Sequence, residues 1–148
     1  MFKINIGTKE GKTYKLETEA PELMEKSLHD KIKGKDISSD FEDYEFEIMG
    51  ASDKAGFTAM ENVEGIGLKK ILLKYGKGLH KKPKGLKKKG SKPKGLRLRK
   101  TVRGKTISPS IIQVNLKTIK EGTKKLSEIF PEQNLPKEPK EKPQSSAA

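Results

Sequence analysis

The first residues of the chain alternate apolar with polar side chains, as a half-buried β-strand does. Three apolar residues recur with a period of two and a glycine follows them: Phe2, Ile4, Ile6 and Gly7. A second alternating run, residues 12–17, follows Gly11 and carries Tyr14 and Leu16 in the same period. The two runs predict a β-hairpin at the start of the chain.

The spacing then changes to that of a short helix. Pro21 suits a first helical position and Gly34 suits a helix end. Between them lie four apolar residues at near-helical spacing: Leu23, Met24, Leu28 and Ile32. Ala20 is a poor N-cap because it has no side-chain oxygen to accept the free amide hydrogens. The pattern nevertheless predicts a helix within residues 21–33.

Strict alternation returns at Tyr44 and predicts a strand with one apolar and one acidic face. Phe46 and Ile48 continue the apolar face, while Glu45 and Glu47 lie opposite. Carboxylates that share a face can serve catalysis, but their ordinary place is the solvent-facing side of an antiparallel strand. Residues 50–57 contain two glycines and an aspartate and predict a tight, irregular loop.

Four further elements and a tail complete the prediction. Leu68–Lys74 is short and apolar, and a buried strand or a short helix fits it equally well. Residues 97–103 and 112–116 alternate as strands do. Residues 124–130 predict a brief helix that packs Leu126 and Phe130. Residues 131–148 are dominated by Pro, Lys, Glu, Ser and Ala and predict a disordered tail.

Charge divides the chain sharply. Residues 1–64 contain nine basic and fifteen acidic side chains, whereas residues 65–120 contain nineteen Lys or Arg and no Asp or Glu. Residues 121–148 add five of each sign, and the formal net charge is +13. Cations that repel one another are tolerated either in a solvated loop or against a polyanion. A basic run of this length and purity favours phosphate as the partner.

The basic stretch contains an internal repeat, Lys-Pro-Lys-Gly-Leu, at residues 82–86 and again at 92–96. Proline favours extended backbone and glycine admits almost any conformation, so residues 77–105 are predicted to form an extended basic ribbon. Its lysines offer point charges to nucleic-acid phosphates without sequence preference. These candidate RNA-binding residues are Lys81, Lys82, Lys84, Lys87, Lys88, Lys89, Lys92, Lys94, Lys100 and Lys105.

Arginine replaces lysine near the end of the ribbon. Arg97, Arg99 and Arg103 fall on one side of the predicted strand. The planar guanidinium can bind two phosphate oxygens together or stack on an exposed base, which lysine cannot do. We expect the more orientation-specific RNA contacts here. The structural alternative is that these arginines pair with the acidic strand that begins at Tyr44.

Composition excludes several function classes. There is no Cys, hence no disulfide framework and no thiol nucleophile, and only 31% of the residues are hydrophobic, which limits the core. The alternating N-terminal residues differ from a secretory signal, and no apolar run is long enough to span a membrane. We expect a soluble, cytoplasmic protein. His29 and His80 belong to no triad, metal or nucleotide motif, which predicts no enzyme activity, cofactor or small-molecule substrate.

Several short motifs follow one another along the chain: Asp-Lys-Ala-Gly-Phe at 53–57, Lys-Gly at 77–78, Arg-Lys-Thr-Val-Arg-Gly at 99–104, Val-Asn-Leu at 114–116 and Lys-Glu-Gly at 120–122. Together they resemble the S-six-e family of small-subunit ribosomal proteins of archaea and eukaryotes. The resemblance covers residues 1–130. It implies a mainly β (α+β) ribosomal-protein domain with a β-barrel-like body, docked on ribosomal RNA beside neighbouring ribosomal proteins and without catalytic residues.

The chain also departs from that family pattern. The second Lys-Pro-Lys-Gly-Leu copy makes the ribbon about one repeat longer, and Leu96 stands where the family often has Glu. The long basic C-terminal helix of eukaryotic members, with its phosphorylated serines, has no counterpart, which indicates the archaeal type. Two other interpretations stay open: an assembly or translation factor that visits the ribosome transiently, and a non-specific DNA-binding chromatin protein, although no recognition helix is evident.

Overall fold

The computed structural model describes residues 1–80 and 95–134, and these form two β-sheets. The strands are β1 (Phe2–Gly7), β2 (Thr13–Thr18), β3 (Lys31–Lys33), β4 (Glu45–Asp53), β5 (Leu68–Lys74), β6 (Arg97–Arg103) and β7 (Ile111–Lys120). One short helix, α1 (Leu126–Ile129), follows them, and single 3-10 turns occur at Pro21–Leu23, Gly34–Asp36 and Ser39–Phe41. In the described part of the chain, no helix is long and apolar enough to cross a membrane.

The larger sheet has five strands in the order β2-β1-β7-β4-β3. β1 and β7 run parallel, and the other neighbours are antiparallel. β5 and β6 form a separate antiparallel pair. The mainly β class is therefore confirmed, and the two sheets are not closed into a barrel.

The core covers the apolar face of the larger sheet, because strand register places the alternating apolar residues in rows. One row contains Ile4, Val114 and Ala51, and the next contains Ile6, Leu116 and Ile48. All six are buried. Each large aliphatic side chain removed from water in this way stabilises the fold by roughly 1.5–3 kcal/mol.

Helix α1 closes one end of this core. Leu126 is buried, and Phe130 stacks on Tyr14 at a centroid distance of 5.8 Å. The hydroxyl of Tyr44 donates a hydrogen bond to the carbonyl oxygen of Lys124, which fixes the chain before the helix. The predicted brief helix within residues 124–130 is thus confirmed.

A second, smaller core lies under the β5–β6 pair. Its buried members are Met60, Val63, Leu73, Leu79 and Val102. Leu68–Lys74 forms a strand, which resolves the choice left open by the sequence. Most of its residues are exposed, because only the face that carries Leu73 packs on this core.

Residues 58–60 join the two sheets. The Ala59 amide donates to the Ala51 carbonyl of β4 at 2.8 Å. On the other side, the Arg103 amide of β6 donates to the Thr58 carbonyl at 3.0 Å, and the Met60 amide donates to the Arg103 carbonyl at 3.0 Å. The short segment therefore bonds to β4 and β6 simultaneously and sets the position of the second sheet.

The prediction of a helix within residues 21–33 is wrong. Only a 3-10 turn forms at Pro21–Leu23, and Ala20 makes no side-chain cap. Farther on, the Leu28 amide donates to Lys105 O at 3.1 Å, and His29 has a left-handed φ of 72°. Hydrogen bonds to distant segments have replaced the local bonds of a helix, because the capping that would begin a helix is missing.

The N-terminal hairpin and the strands around Phe46 and Val114 are confirmed by β1, β2, β4 and β7. At the predicted tail, residues 131–134 form turns, and Gln133 exchanges hydrogen bonds of 2.7 and 2.9 Å with the Lys15 backbone of β2. Residues 81–94 and 135–148 lie outside the described residues. The first Lys-Pro-Lys-Gly-Leu copy and most of the predicted tail fall within them.

Candidate nucleic-acid interface

The β5–β6 pair has one apolar and one cationic face. Residues directly opposite each other in an antiparallel pair share a face. Register pairs Lys74 with Arg97, Leu72 with Arg99, Lys70 with Thr101, and Leu68 with Arg103. Val102 and Leu98 alternate with these residues and pack on the smaller core. The arginines consequently share one side of the strand, as the sequence predicts, and we call this side the outer face.

The outer face combines unpaired cations with exposed apolar groups. Lys70, Lys74, Arg97 and Arg99 are exposed, as is Lys100 on the same strand pair. Within residues 1–80 and 95–134, none of these five forms an ion pair. Leu68 and Leu72 between them are 48% and 56% exposed. The surface is therefore positively charged and also able to make apolar contact.

The glutamates of β4 have lysine neighbours within the larger sheet, and we call this sheet with its core the body. The two glutamates of β4 lie opposite lysines of neighbouring strands, Glu45 beside Lys33 and Lys120, and Glu47 beside Lys31 and Lys117. Cross-strand pairs of opposite charge are favourable. The acidic face predicted from residue 44 onward is thus part of a mixed-charge sheet surface, and its carboxylates do not neutralise the outer face.

Arg103 differs from the other arginines because it is held inside the protein. Its Nε donates to Asp53 Oδ2 at 3.0 Å, and its Nη1 donates to the Ile66 carbonyl at 3.1 Å. Its side chain is 17% exposed and that of Asp53 only 4%. Because Asp53 is the last residue of β4, Arg103 pairs with that strand, as the alternative interpretation of the sequence expects, and it joins the two sheets. RNA binding by Arg103 stays a prediction.

Asp53 organises the loop that follows β4. Its Oδ1 accepts the Phe57 amide at 2.8 Å, and its carbonyl accepts the Gly56 amide at 3.0 Å. Gly56 has a φ of +86°, a value that glycine adopts without strain. Burial acts to raise the pKa of the Asp53 carboxyl, but the hydrogen bonds from Phe57 and Arg103 outweigh it and hold the pKa below its usual range.

The remaining predicted RNA-binding residues fall into two groups. Lys105 is half-buried, and its Nζ lies 3.7 Å from a carboxylate oxygen of Glu64, a long and mostly exposed pair of little energetic value. The lysines of the repeat lie outside the described residues. They are Lys81, Lys82, Lys84, Lys87, Lys88, Lys89, Lys92 and Lys94.

His29 has partners that sequence reasoning missed. Its Nδ1 lies 3.1 Å from Glu47 and its Nε2 lies 2.8 Å from Glu61, on two segments distant in sequence. Hydrogen bonds to Glu47 and then Glu61 raise the pKa of the imidazole above 6.5. The ring is a surface group, as predicted, with 42% of its side chain exposed. Among the described residues, no group of three or more His, Cys, Asp or Glu is arranged to hold a metal ion.

The chain is similar to known proteins over most of its length. The family model described as Ribosomal protein S6e matches residues 2–131. A relative from Methanococcus maripaludis strain C7, named small ribosomal subunit protein eS6, is 37% identical over 123 residues, which is 82% of this chain and 90% of the relative. Proteins of the same name from Methanocaldococcus jannaschii and Nanoarchaeum equitans are 35% and 38% identical over 122 and 125 residues. These alignments cover 82% and 84% of this chain, and 84% of each relative.

Proposed function

Because this chain belongs to the ribosomal protein S6e family, we propose that it binds and stabilises ribosomal RNA through the basic ribbon, residues 77–105. The family and the names of the archaeal relatives support a structural protein of the small ribosomal subunit, which acts in translation as part of a ribonucleoprotein. Its partners are then small-subunit RNA and neighbouring ribosomal proteins.

The observation that carries the RNA-binding proposal is the uncompensated charge of the outer face. Arg97 and Arg99 project from the outer face of a strand pair whose other side packs on a core, and Lys100 is exposed next to Arg99. The glutamates of β4, by contrast, lie opposite lysines. An array of cations without counter-charges favours a polyanion, since each phosphate contact releases condensed counterions. Arginine adds the planar geometry that phosphate oxygens and bases can use.

The proposal also includes the lysines of the repeat, which lie outside the described residues. Residues 81–94 connect the end of the segment after β5 to the start of β6, so their lysines are joined to the same strand pair by the chain itself. We take residues 1–130 as the ribosomal-protein domain and residues 131–148 as its tail. In this arrangement the strand pair anchors the ribbon, and the repeat lysines extend the phosphate-binding surface.

Sedimentation tests the proposal in lysates of cells that carry the full chain. Small subunits are separated on sucrose gradients at low and at roughly half-molar salt, and the protein is followed by immunoblot. An outer-face variant, with Lys74, Arg97 and Arg99 changed to Ser, is compared with a body variant, in which three paired cations, Lys3, Lys12 and Lys35, are changed to Ser.

We expect the parent protein to stay on the subunit at one copy each. The outer-face variant should be released at lower salt than the body variant, because it has lost phosphate contacts and its complex is weaker before salt weakens it further. Release of both variants at the same salt would contradict the outer face as the RNA-binding surface. Loss of the parent protein itself from the subunit at moderate salt would favour the transient assembly factor.

A further inference from the structure

Two motifs that are far apart in the sequence form the walls of one cleft. The loop of residues 53–57 lies on one side and β6 on the other, and the space between them has a volume of about 310 Å³. Pockets that hold small ligands range over roughly 300–1,000 Å³. The cleft is lined by Gly56, Phe57, Thr58, Gly78, Arg99, Lys100, Thr101 and Val102.

The first wall is held by hydrogen bonds and carries an aromatic ring. Phe57 is half-buried, and its amide is bonded to the Asp53 carboxylate at 2.8 Å. Asp53 is in turn bonded to Arg103 of the facing strand at 3.0 Å. The backbone that carries the ring is therefore positioned relative to β6 by two consecutive hydrogen bonds. Less backbone entropy is lost on binding when the segment is already held in place.

The second wall is a free strand edge. Backbone groups of successive strand residues point to opposite sides. The Gly104 amide donates to Gly67 on the β5 side at 3.1 Å, whereas the Arg103 amide and carbonyl bond to residues 58 and 60 on the other side. By this alternation, the N–H and C=O groups of Thr101 and Arg99 point away from β5. No other strand of the described residues pairs with this edge.

The charge of the lining favours an anionic ligand. Arg99 and Lys100 contribute two cations, and the lining contains no carboxylate. The nearby Asp53 carboxylate is already occupied by Arg103 and the Phe57 amide. The cleft thus offers an aromatic surface, backbone donors and acceptors, and positive charge within one small volume. A nucleotide presents the complementary features, namely a flat base with polar edges and a phosphate.

We propose that this cleft binds one unpaired RNA nucleotide. Its base packs on Phe57 and meets the free edge of β6, and its phosphate contacts Arg99 or Lys100. The inference rests on the proposed function and deepens it, since it names an unstacked base as the ligand. Duplex RNA offers no such base. The outer face therefore binds the phosphates of any RNA, whereas the cleft binds only a single-stranded nucleotide.

The test measures binding of the full chain to fluorescent RNA by anisotropy, with a single-stranded decamer and a hairpin duplex as probes. Phe57→Leu removes the ring and keeps an apolar side chain. We expect it to weaken single-strand binding about tenfold, the loss of one base–aromatic stack, and to leave duplex binding and the salt dependence unchanged. Arg97→Ser, outside the cleft lining, is the control and should weaken both probes equally.

A urea titration of Phe57→Leu verifies folding, and ultraviolet cross-linking of intact small subunits gives a readout that needs no variant. A nucleotide attached to the peptide that contains Phe57 supports the proposal. A cross-link from this peptide to another protein would overturn it, because a peptide strand would then occupy the edge of β6. Unchanged single-strand binding by Phe57→Leu would also overturn it, while the proposed function would stand. Failure of the parent chain to bind either RNA would overturn both.

Discussion

Replacing Arg103 by lysine tests whether the guanidinium geometry, as well as the positive charge, holds the two sheets together. Arg103 bonds Asp53 through Nε and the Ile66 carbonyl through Nη1. One ammonium group cannot occupy both positions. A hydrogen bond to a charged group contributes about 1.5–3 kcal/mol and a neutral one about 0.5–1.5 kcal/mol.

Lysine keeps the charge and can recover part of the attraction to the Asp53 carboxylate. We therefore expect Arg103→Lys to lower the free energy of unfolding by about 2 kcal/mol. The assay is urea unfolding followed by far-ultraviolet circular dichroism and by the fluorescence of the three tyrosines, since the chain has no Trp. Arg99→Lys on the exposed part of the same strand is the matched control and should change stability by less than about 0.5 kcal/mol. Equal losses for the two variants would refute the assignment of Arg103 to the joint between the sheets.

Three other predictions test separate parts of the structure. Gly104→Ala should lower the free energy of unfolding by about 1–3 kcal/mol in the same urea assay, because its Cβ would overlap the Gly65 carbonyl oxygen. The pKa of His29 is raised in the folded state, so its ion pairs stabilise the fold fully below pH about 6.5 and lose this contribution as pH rises through the folded pKa. Urea titrations between pH 5 and 9 should show a fall in the free energy of unfolding of at most about 1 kcal/mol, which His29→Gln abolishes. Changing both Arg99 and Lys100 to Ser should flatten the plot of log affinity against log salt by about 1.5 for single-stranded RNA, measured by anisotropy.

Strand positions were predictable where one face alone is buried. In β1, and in β7 from Val114 onward, every second residue enters the core, so the alternation of Ile4 or Val114 with polar neighbours reflects this burial directly. The segment around Leu28 also contains apolar residues, at near-helical spacing, but it does not form the helix that this spacing predicts. Its backbone bonds to residues 105–107, more than seventy positions away, and no local pattern encodes such a partner.

At the candidate site, too, the local sequence predicts the properties of a segment but does not predict its contacts with distant residues. The positive charge of the ribbon follows from its residue types. The position of its arginines on one side of the strand follows from their period of two. The partner of each arginine does not, because Asp53 lies fifty residues before Arg103. The motifs that contain these two residues, 53–57 and 99–104, both contribute to the family resemblance. Their ion pair gives a physical reason for finding them together.

Arg99 and Arg103 lie on one face of one strand, yet the structure gives them different tasks because of where the strand meets the body. Arg103 is beside the joining segment at residues 58–60, while Arg99 lies four residues earlier, about 13 Å away along the strand. Changes separated by more than about 7–10 Å without shared partners add within about 0.3–0.5 kcal/mol.

The double variant with both arginines changed to lysine should therefore combine the stability loss of Arg103→Lys with the RNA-binding loss of Arg99→Lys, without further cost in either property. Urea unfolding and RNA anisotropy on the parent, the two single variants and the double variant complete this cycle. A coupling above about 1 kcal/mol in stability would mean that the two guanidinium groups share a partner, and the separation of joint and interface along β6 would then be incorrect.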